Sequence, residues 1–285
     1  MKLSQAKLVL FVLFVLVSTS GCGVINRIRA KNELNEAARA YKAGRFAEAE
    51  QHSKRALELD PDQKTAPIFI ARSIHQQYRP GVETQQNKDK AIEAIAAYKK
   101  ILEKDPANED AYRAIAALYG VTDENQQRDW IMKRANDTSI PNEKRAEAYT
   151  ILASKDWNCS YTITEQPSSK KTETKDGRPV ITFKKPDNPK DLETIRQCVA
   201  RGMEEAEKAI SYDPNNDAAW SFKTNLLLES AKLAEMEGNQ DKKAEFTKLA
   251  EAAQKRTTEL TQENQRKKDE EEKKKAAQKP QQPSS

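Results

Sequence analysis

Aromatic residues make up 6% of this 285-residue chain, and glycine occurs only 8 times. So few aromatics and glycines argue against a β-sandwich or a deep α/β core. With so few glycines, and none clustered, no phosphate-cradling loop can be built. GxGxxG, Walker-type, GxSxG, HExxH and EF-hand patterns are all missing. There are 2 histidines. His52 falls on the outer side of a helix and reads as a surface residue. The acidic residues are interleaved with Lys and Arg, so no paired-carboxylate or metal site stands out. The chain therefore calls for no metal, no cofactor and no catalysis. Its basic residues lack aromatic interleaving, which gives no sign of nucleic-acid binding. The longest apolar run, Leu8 to Val17, has only ten residues. That is about half the span of a bilayer core.

What is abundant is charge. Lys, Arg, Asp and Glu make up 33% of the chain, with a formal net charge of +5. Lys and Glu alternate with Ala along most of the chain, the signature of solvated helices with narrow apolar seams.

The apolar run follows Lys2 and Lys7 and ends in Ser18-Thr19-Ser20-Gly21-Cys22. This resembles a bacterial lipoprotein signal peptide (residues 1–21) whose Cys22 becomes the lipidated, palmitate-bearing N-terminus. Ordinary cleavage or an uncleaved anchor are the alternatives. The family prefers Leu where Thr19 stands. The resemblance implies a cell-envelope location, and the outer membrane facing the periplasm if the cell is Gram-negative. Of the 3 cysteines, Cys159 and Cys198 then remain. In an oxidising compartment they are expected to pair, bracketing an irregular segment; two buried thiols are the alternative.

Ala37 to Pro61 reads AARAYKAGRFAEAEQHSKRALELDP. Its ending recurs at Ile101 to Pro106 (ILEKDP) and at Ala209 to Pro214 (AISYDP). Each ending is followed by a helix start: Ala66-Pro67-Ile68, Ala111-Tyr112 and Ala219-Trp220. Small residues at Ala37, Ala49 and Ala56 let two helices cross closely, and Pro stops the second helix. This pattern resembles the tetratricopeptide repeat (TPR), which is about 34 residues long. Pro61 to Pro106, Pro106 to Pro141 and Pro141 to Pro214 are 45, 35 and 73 residues apart. The excess places insertions near Arg79 to Lys88 and near Trp157 to Leu192. The third repeat is degenerate, with Arg128 where a small residue belongs.

The expected fold is all-α, a TPR-type α-solenoid of about five helix pairs over residues 32–256, with a small β-hairpin insertion at about 158–190. Residues 22–31 would be a lipidated linker, and 257–285 a charged, largely disordered tail. Within the insertion, Ser160 to Thr164 and Pro179 to Phe183 read as strands, with Asp176-Gly177 as the turn. That hairpin is either a recognition element or a filler.

The resemblance implies a protein-binding groove. Carried over, its lining is Leu34 and Tyr41, then Phe69, Arg72 and His75, then Arg113, Ile151, Phe222 and Asn225. Packing against a neighbouring helix is the alternative for each. The implied function is a membrane-anchored scaffold for protein or peptide partners in the envelope, in outer-membrane protein, pilus or secretion-system assembly. The alternative is a structural tether that binds cell-wall polymer through its charged tail. The oligomeric state is not legible.

Overall fold

A computed structural model describes residues 23–175 and 177–277. The leader, Cys22 and the last eight residues lie outside them. The fold is all-α with one two-stranded hairpin. α1 spans residues 23–42. It is followed by α2 (Phe46–Leu59), α3 (Ala66–Gln77), α4 (Gln85–Lys104), α5 (Glu109–Thr122) and α6 (Glu124–Asn136). Then come α7 (Asn142–Thr164), β1 (Lys170–Lys175), β2 (Arg178–Phe183), α8 (Pro189–Tyr212), α9 (Asp217–Met236) and α10 (Gln240–Ala277). The chain divides into two compact units, Met1–Gln127 and Arg128–Ser285, with the boundary inside α6. Within each unit, helices stack as a repeat of the α-solenoid type.

The repeated Asp-Pro endings share one geometry. Asp60, Asp105 and Asp213 close α2, α4 and α8 in extended conformations, with φ of −138°, −138° and −141°. Each donates its N–H to the fourth residue back, Ala56, Ile101 and Ala209. A residue before proline is driven out of the helical region, so each helix stops there. Asn108 and Asn216 then cap α5 and α9, accepting the amides of Ala111 and Ala219. Gly44 and Gly238 end α1 and α9 at φ of 74° and 80°. In both turns an N–H reaches back five residues, Arg45 to Ala40 and Asn239 to Ala234, which needs a left-handed residue between them.

In the first unit the seams are alanine. Ala30, Ala37, Ala49, Ala56, Ala66, Ala71, Ala91 and Ala94 are all fully buried. Ala30, Ala56 and Ala66 form one cluster with Leu34, Leu57 and Leu59 against it. Without long side chains at the crossing points the backbones approach closely, and dispersion contacts accumulate. Residues 23–31, expected as a linker, are the opening turns of α1. The insertion after α3 is held by buried Asn87. Its amide accepts the N–H of Arg79 and donates to the carbonyls of Arg79 and Val82. His52 is not a free surface residue: it is half-buried, 2.6 Å from Glu33 of α1.

In the second unit α7, α8 and α9 are long, and the insertion is built differently from the sequence expectation. Ser160 to Thr164 is the last turn of α7, not a strand. Tertiary packing overrides its β-branched composition, because Ser160 and Thr164 are fully buried and Thr164 Oγ1 bonds Glu229 at 2.8 Å. The true first strand is the charged segment Lys170–Lys175. It pairs antiparallel with β2 from Lys170↔Phe183 to Lys175↔Arg178, and Gly177 turns at φ 74°. The hairpin docks through Phe183, which joins Ile163, Leu192 and Leu233 around Ile195, Val199 and Met236. Cys159 and Cys198 form a disulfide between α7 and α8. Residues 257–277, expected as part of a largely disordered tail, continue α10. Leu260 among them is fully buried.

Candidate functional site

In the first unit, the proposed groove residues of α3 fall at spacings of three and mark one face of the helix. Phe69 meets the ring of Tyr41 from α1 edge-on at 6.1 Å, and Tyr41 meets Phe46 at 5.2 Å. Arg72, exposed, pairs with Asp110 of α5 at 3.1 Å. His75 approaches the Tyr98 hydroxyl at 3.3 Å, with the rings edge-on. Burial pushes the His75 pKa down and that of Tyr98 up to about 12. Both side chains are therefore neutral near pH 7. Arg113 is exposed one turn beyond Asp110. Leu34 belongs to the packing: it lies in the α1–α2–α3 seam. The structure thus draws Tyr41, Phe69, Arg72 and His75 into one mixed aromatic and basic wall.

In the second unit the nominated residues do not converge in the same way. Ile151 is exposed on α7 and Asn225 is half-buried on α9. Phe222 packs 5.9 Å from Trp157, over the cluster of Ala153, Ala206 and Leu226. It is a seam residue.

One concavity of the second unit was not anticipated. It is a groove of about 1050 Å³ between α8, α9 and α10. Val199, Met203, Leu227, Leu233, Phe246 and Leu249 supply an apolar floor and wall, and Trp220 and Lys223 also line it. Charges of both signs line it as well: Arg196, Glu204 and Glu207 of α8, Glu237 after α9, and Lys242 and Arg256 of α10. Leu249 is 46% exposed, although the stripe Ala244, Phe246, Leu249, Ala250, Ala253 reads as one buried face. Only its Ala250 and Ala253 edge is buried. The apolar stripe itself is legible in the sequence; that its Leu249 edge stays uncovered is not.

A buried charge cluster was also missed. Arg128, the residue that breaks the repeat pattern, reaches Glu205 of α8 and lies 3.1 Å from Asp156 of α7. Arg201 pairs with Asp156 at 2.8 Å. Asp156 and Glu205 are almost fully buried. Burial is the main cause that pushes the Glu205 pKa up to about 8; Arg128 opposes it, and the neighbouring Asp156 adds to it. With its ion pairs running from α6 and α8 to buried Asp156 and Glu205, the cluster ties α6, α7 and α8 together.

Among the described residues no group of three or more His, Cys, Asp or Glu could hold a metal ion, and no helix is long and apolar enough to cross a membrane. No family model and no curated protein matches the chain. Among solved structures, two of MamA protein are each 14% identical to the chain. One match covers 81% of this chain and 94% of MamA with a TM-score of 0.36; the other covers 78% and 96% with a TM-score of 0.34. At those values the likeness carries no argument about what the chain binds, and the reading below rests on the chain's own helix pairs, wall and groove.

Proposed function

We propose that this protein is a lipid-anchored scaffold of the bacterial cell envelope that binds other proteins and serves assembly of outer-membrane proteins, pili or a secretion system. The observation that carries the binding role is the α8–α9–α10 groove. A largely apolar lining edged by charges of both signs suits an amphipathic helix, whose apolar anchors would enter at Met203, Phe246 and Leu249. Its volume is in the upper range of ligand sites, and its open form fits a chain segment better than a small molecule. The aromatic and basic wall of Tyr41, Phe69, Arg72 and His75 offers a second contact for an extended segment. The lipid anchor is supported by the Ser-Thr-Ser-Gly-Cys sequence that ends at Cys22, and the envelope location by the same motif together with the Cys159–Cys198 disulfide.

The test is site-specific photo-crosslinking in cells from Leu249 and from Phe69. The expected result is a discrete crosslinked envelope protein, lost in Leu249→Asp while the helical circular dichroism is kept. Absence of any protein adduct from both positions would overturn the scaffold reading. Metabolic labelling with a fatty acid, abolished by Cys22→Ala, tests the anchor separately.

A further inference from the structure

The opening turns of α1 carry three large apolar side chains in water: Val24, Ile25 and Ile28 are 59%, 51% and 58% exposed. At about 100° per residue they share one arc of the helix. Ala30, Ala37 and Ala40 are fully buried and define the face that packs on the protein. That face lies on the opposite side of the helix from Val24 and Ile28. α1 therefore has two apolar faces, and only one is covered. Single exposed apolar residues are ordinary, but three on one arc mark a contact surface.

The charges around this arc have one sign. Arg27 and Lys31 border it on one side and Arg29 on the other, and residues 23–32 contain no Asp or Glu. An apolar stripe bordered by Lys and Arg is how a helix lies in the headgroup layer of an anionic bilayer, with the apolar side chains reaching the acyl boundary. The sequence immediately upstream holds the apolar run Leu8 to Val17 and Cys22, so the same end of the chain carries every membrane-directed feature.

We infer that the outer face of the start of α1 rests on an anionic lipid surface, Val24, Ile25 and Ile28 entering it and Arg27, Arg29 and Lys31 meeting lipid phosphates. The inference rests on the membrane-anchored reading above and adds to it. The α1 face fixes how the first unit meets the bilayer, where a lipid on a loose linker would leave it free.

The test is vesicle flotation of the full chain, wild type and Cys22→Ala. The vesicles are phosphatidylcholine alone or with roughly one-third phosphatidylglycerol. Both proteins are expected to prefer the anionic vesicles on the order of 100-fold at low salt, and to lose the preference at high salt. The triple reversal R27E/R29E/K31E should remove it, and V24S/I25S/I28S should weaken binding to both vesicle types. Reversal of the exposed α10 lysines, K267E/K268E/K273E, should leave the preference intact. A preference that survives R27E/R29E/K31E, or falls equally with the α10 reversal, would overturn the inference. So would loss of a dimer in V24S/I25S/I28S with unchanged vesicle binding, which would make the face a contact between copies. If fatty-acid labelling fails but Cys22→Ala keeps its preference, the anchor fails and this inference stands. If labelling succeeds and the reversal changes nothing, the anchor stands and this inference fails.

Discussion

Asp156 and Glu205 bring two carboxyl groups against each other in a buried site, with Arg128 and Arg201 on the same cluster. One oxygen of each carboxyl lacks a hydrogen-bond partner when both are ionised. Burial is the main cause of the raised Glu205 pKa, and a single proton on Glu205, donated toward Asp156, adds to it by serving both oxygens. The folded value, about 8, lies above the unfolded value of 4.5. The stability this proton contributes is complete below the unfolded value and is lost as pH rises through the folded one. Glu205→Gln should therefore flatten the pH dependence between about pH 5 and about pH 9, where the wild type loses on the order of a few kcal/mol. Urea denaturation across that range measures it; equal slopes for both proteins would contradict the shared proton. Gly202, on the same helix, has no room for a side chain. A Cβ there would meet Leu226 Cδ2 at 2.7 Å and Asp156 Cβ at 3.0 Å. Gly202→Ala gains helix propensity of about 1 kcal/mol but overpacks a fully buried seam by ~1–3 kcal/mol, so it should lower stability in thermal denaturation by about 1 kcal/mol net.

At the scale of the element, the helix pairs were legible because their punctuation is local. Asp60-Pro61, Asp105-Pro106 and Asp213-Pro214 each stop a helix through the backbone of their own residues, and no distant contact is needed. Ser160 to Thr164 was misread for the opposite reason. Its conformation is set by Glu229, 65 residues away from Thr164, and by the disulfide beside it. Lys170–Lys175 hides as a strand because neither of its faces is apolar. Arg128 was recognised as a departure from the repeat, but its partners lie on α7 and α8 and are invisible to spacing. Of the expected groove residues, Tyr41 of α1 and Phe69 of α3 meet edge-on, while Leu34 and Phe222 lie in packed seams, which spacing alone does not reveal. The α7–α8 pair depends on its disulfide, which closes a separation of 39 residues. Reduction, or Cys159→Ala with Cys198→Ala, should cost about 4 kcal/mol on the loop-entropy model. Hydrogen exchange should show that loss concentrated in α7, α8 and the hairpin. Lys232 ties the hairpin down through Glu165 at 3.0 Å and by lying 4.9 Å from the Phe183 ring. Lys232→Ala should speed exchange of β1 and β2 amides while the amides of α2 and α3 keep theirs; uniform change across the chain would argue against that local role.

Within each unit, helices close in sequence pack on one another, and each relies on its neighbours. The signature of that organisation is the run of fully buried alanines, which a single sequence displays openly. What a sequence displays poorly is which apolar face stays uncovered. Leu249 and Ile28 look like core residues by type, and only their neighbours reveal that they are not. The far end of α10 is the converse case. From Gln265 to Lys275 every side chain is exposed, and the helix is carried by charge alternation and local bonds such as Gln265 to Asp269 at 2.7 Å. Ending the chain after Asn264 should leave the unfolding temperature of the folded units within the small range of a surface change, about 0.5 kcal/mol equivalent, by calorimetry.

Those last turns, Gln265 to Ala277, would measure about 20 Å as straight helix. Anything carried at their tip is held off the body of the second unit by that distance. A rod of alternating charge resists collapse onto its own base and is shortened by conditions that melt short helices, such as high salt and warmth. The standoff is thus a property that temperature and ionic strength can tune without disturbing the globular part.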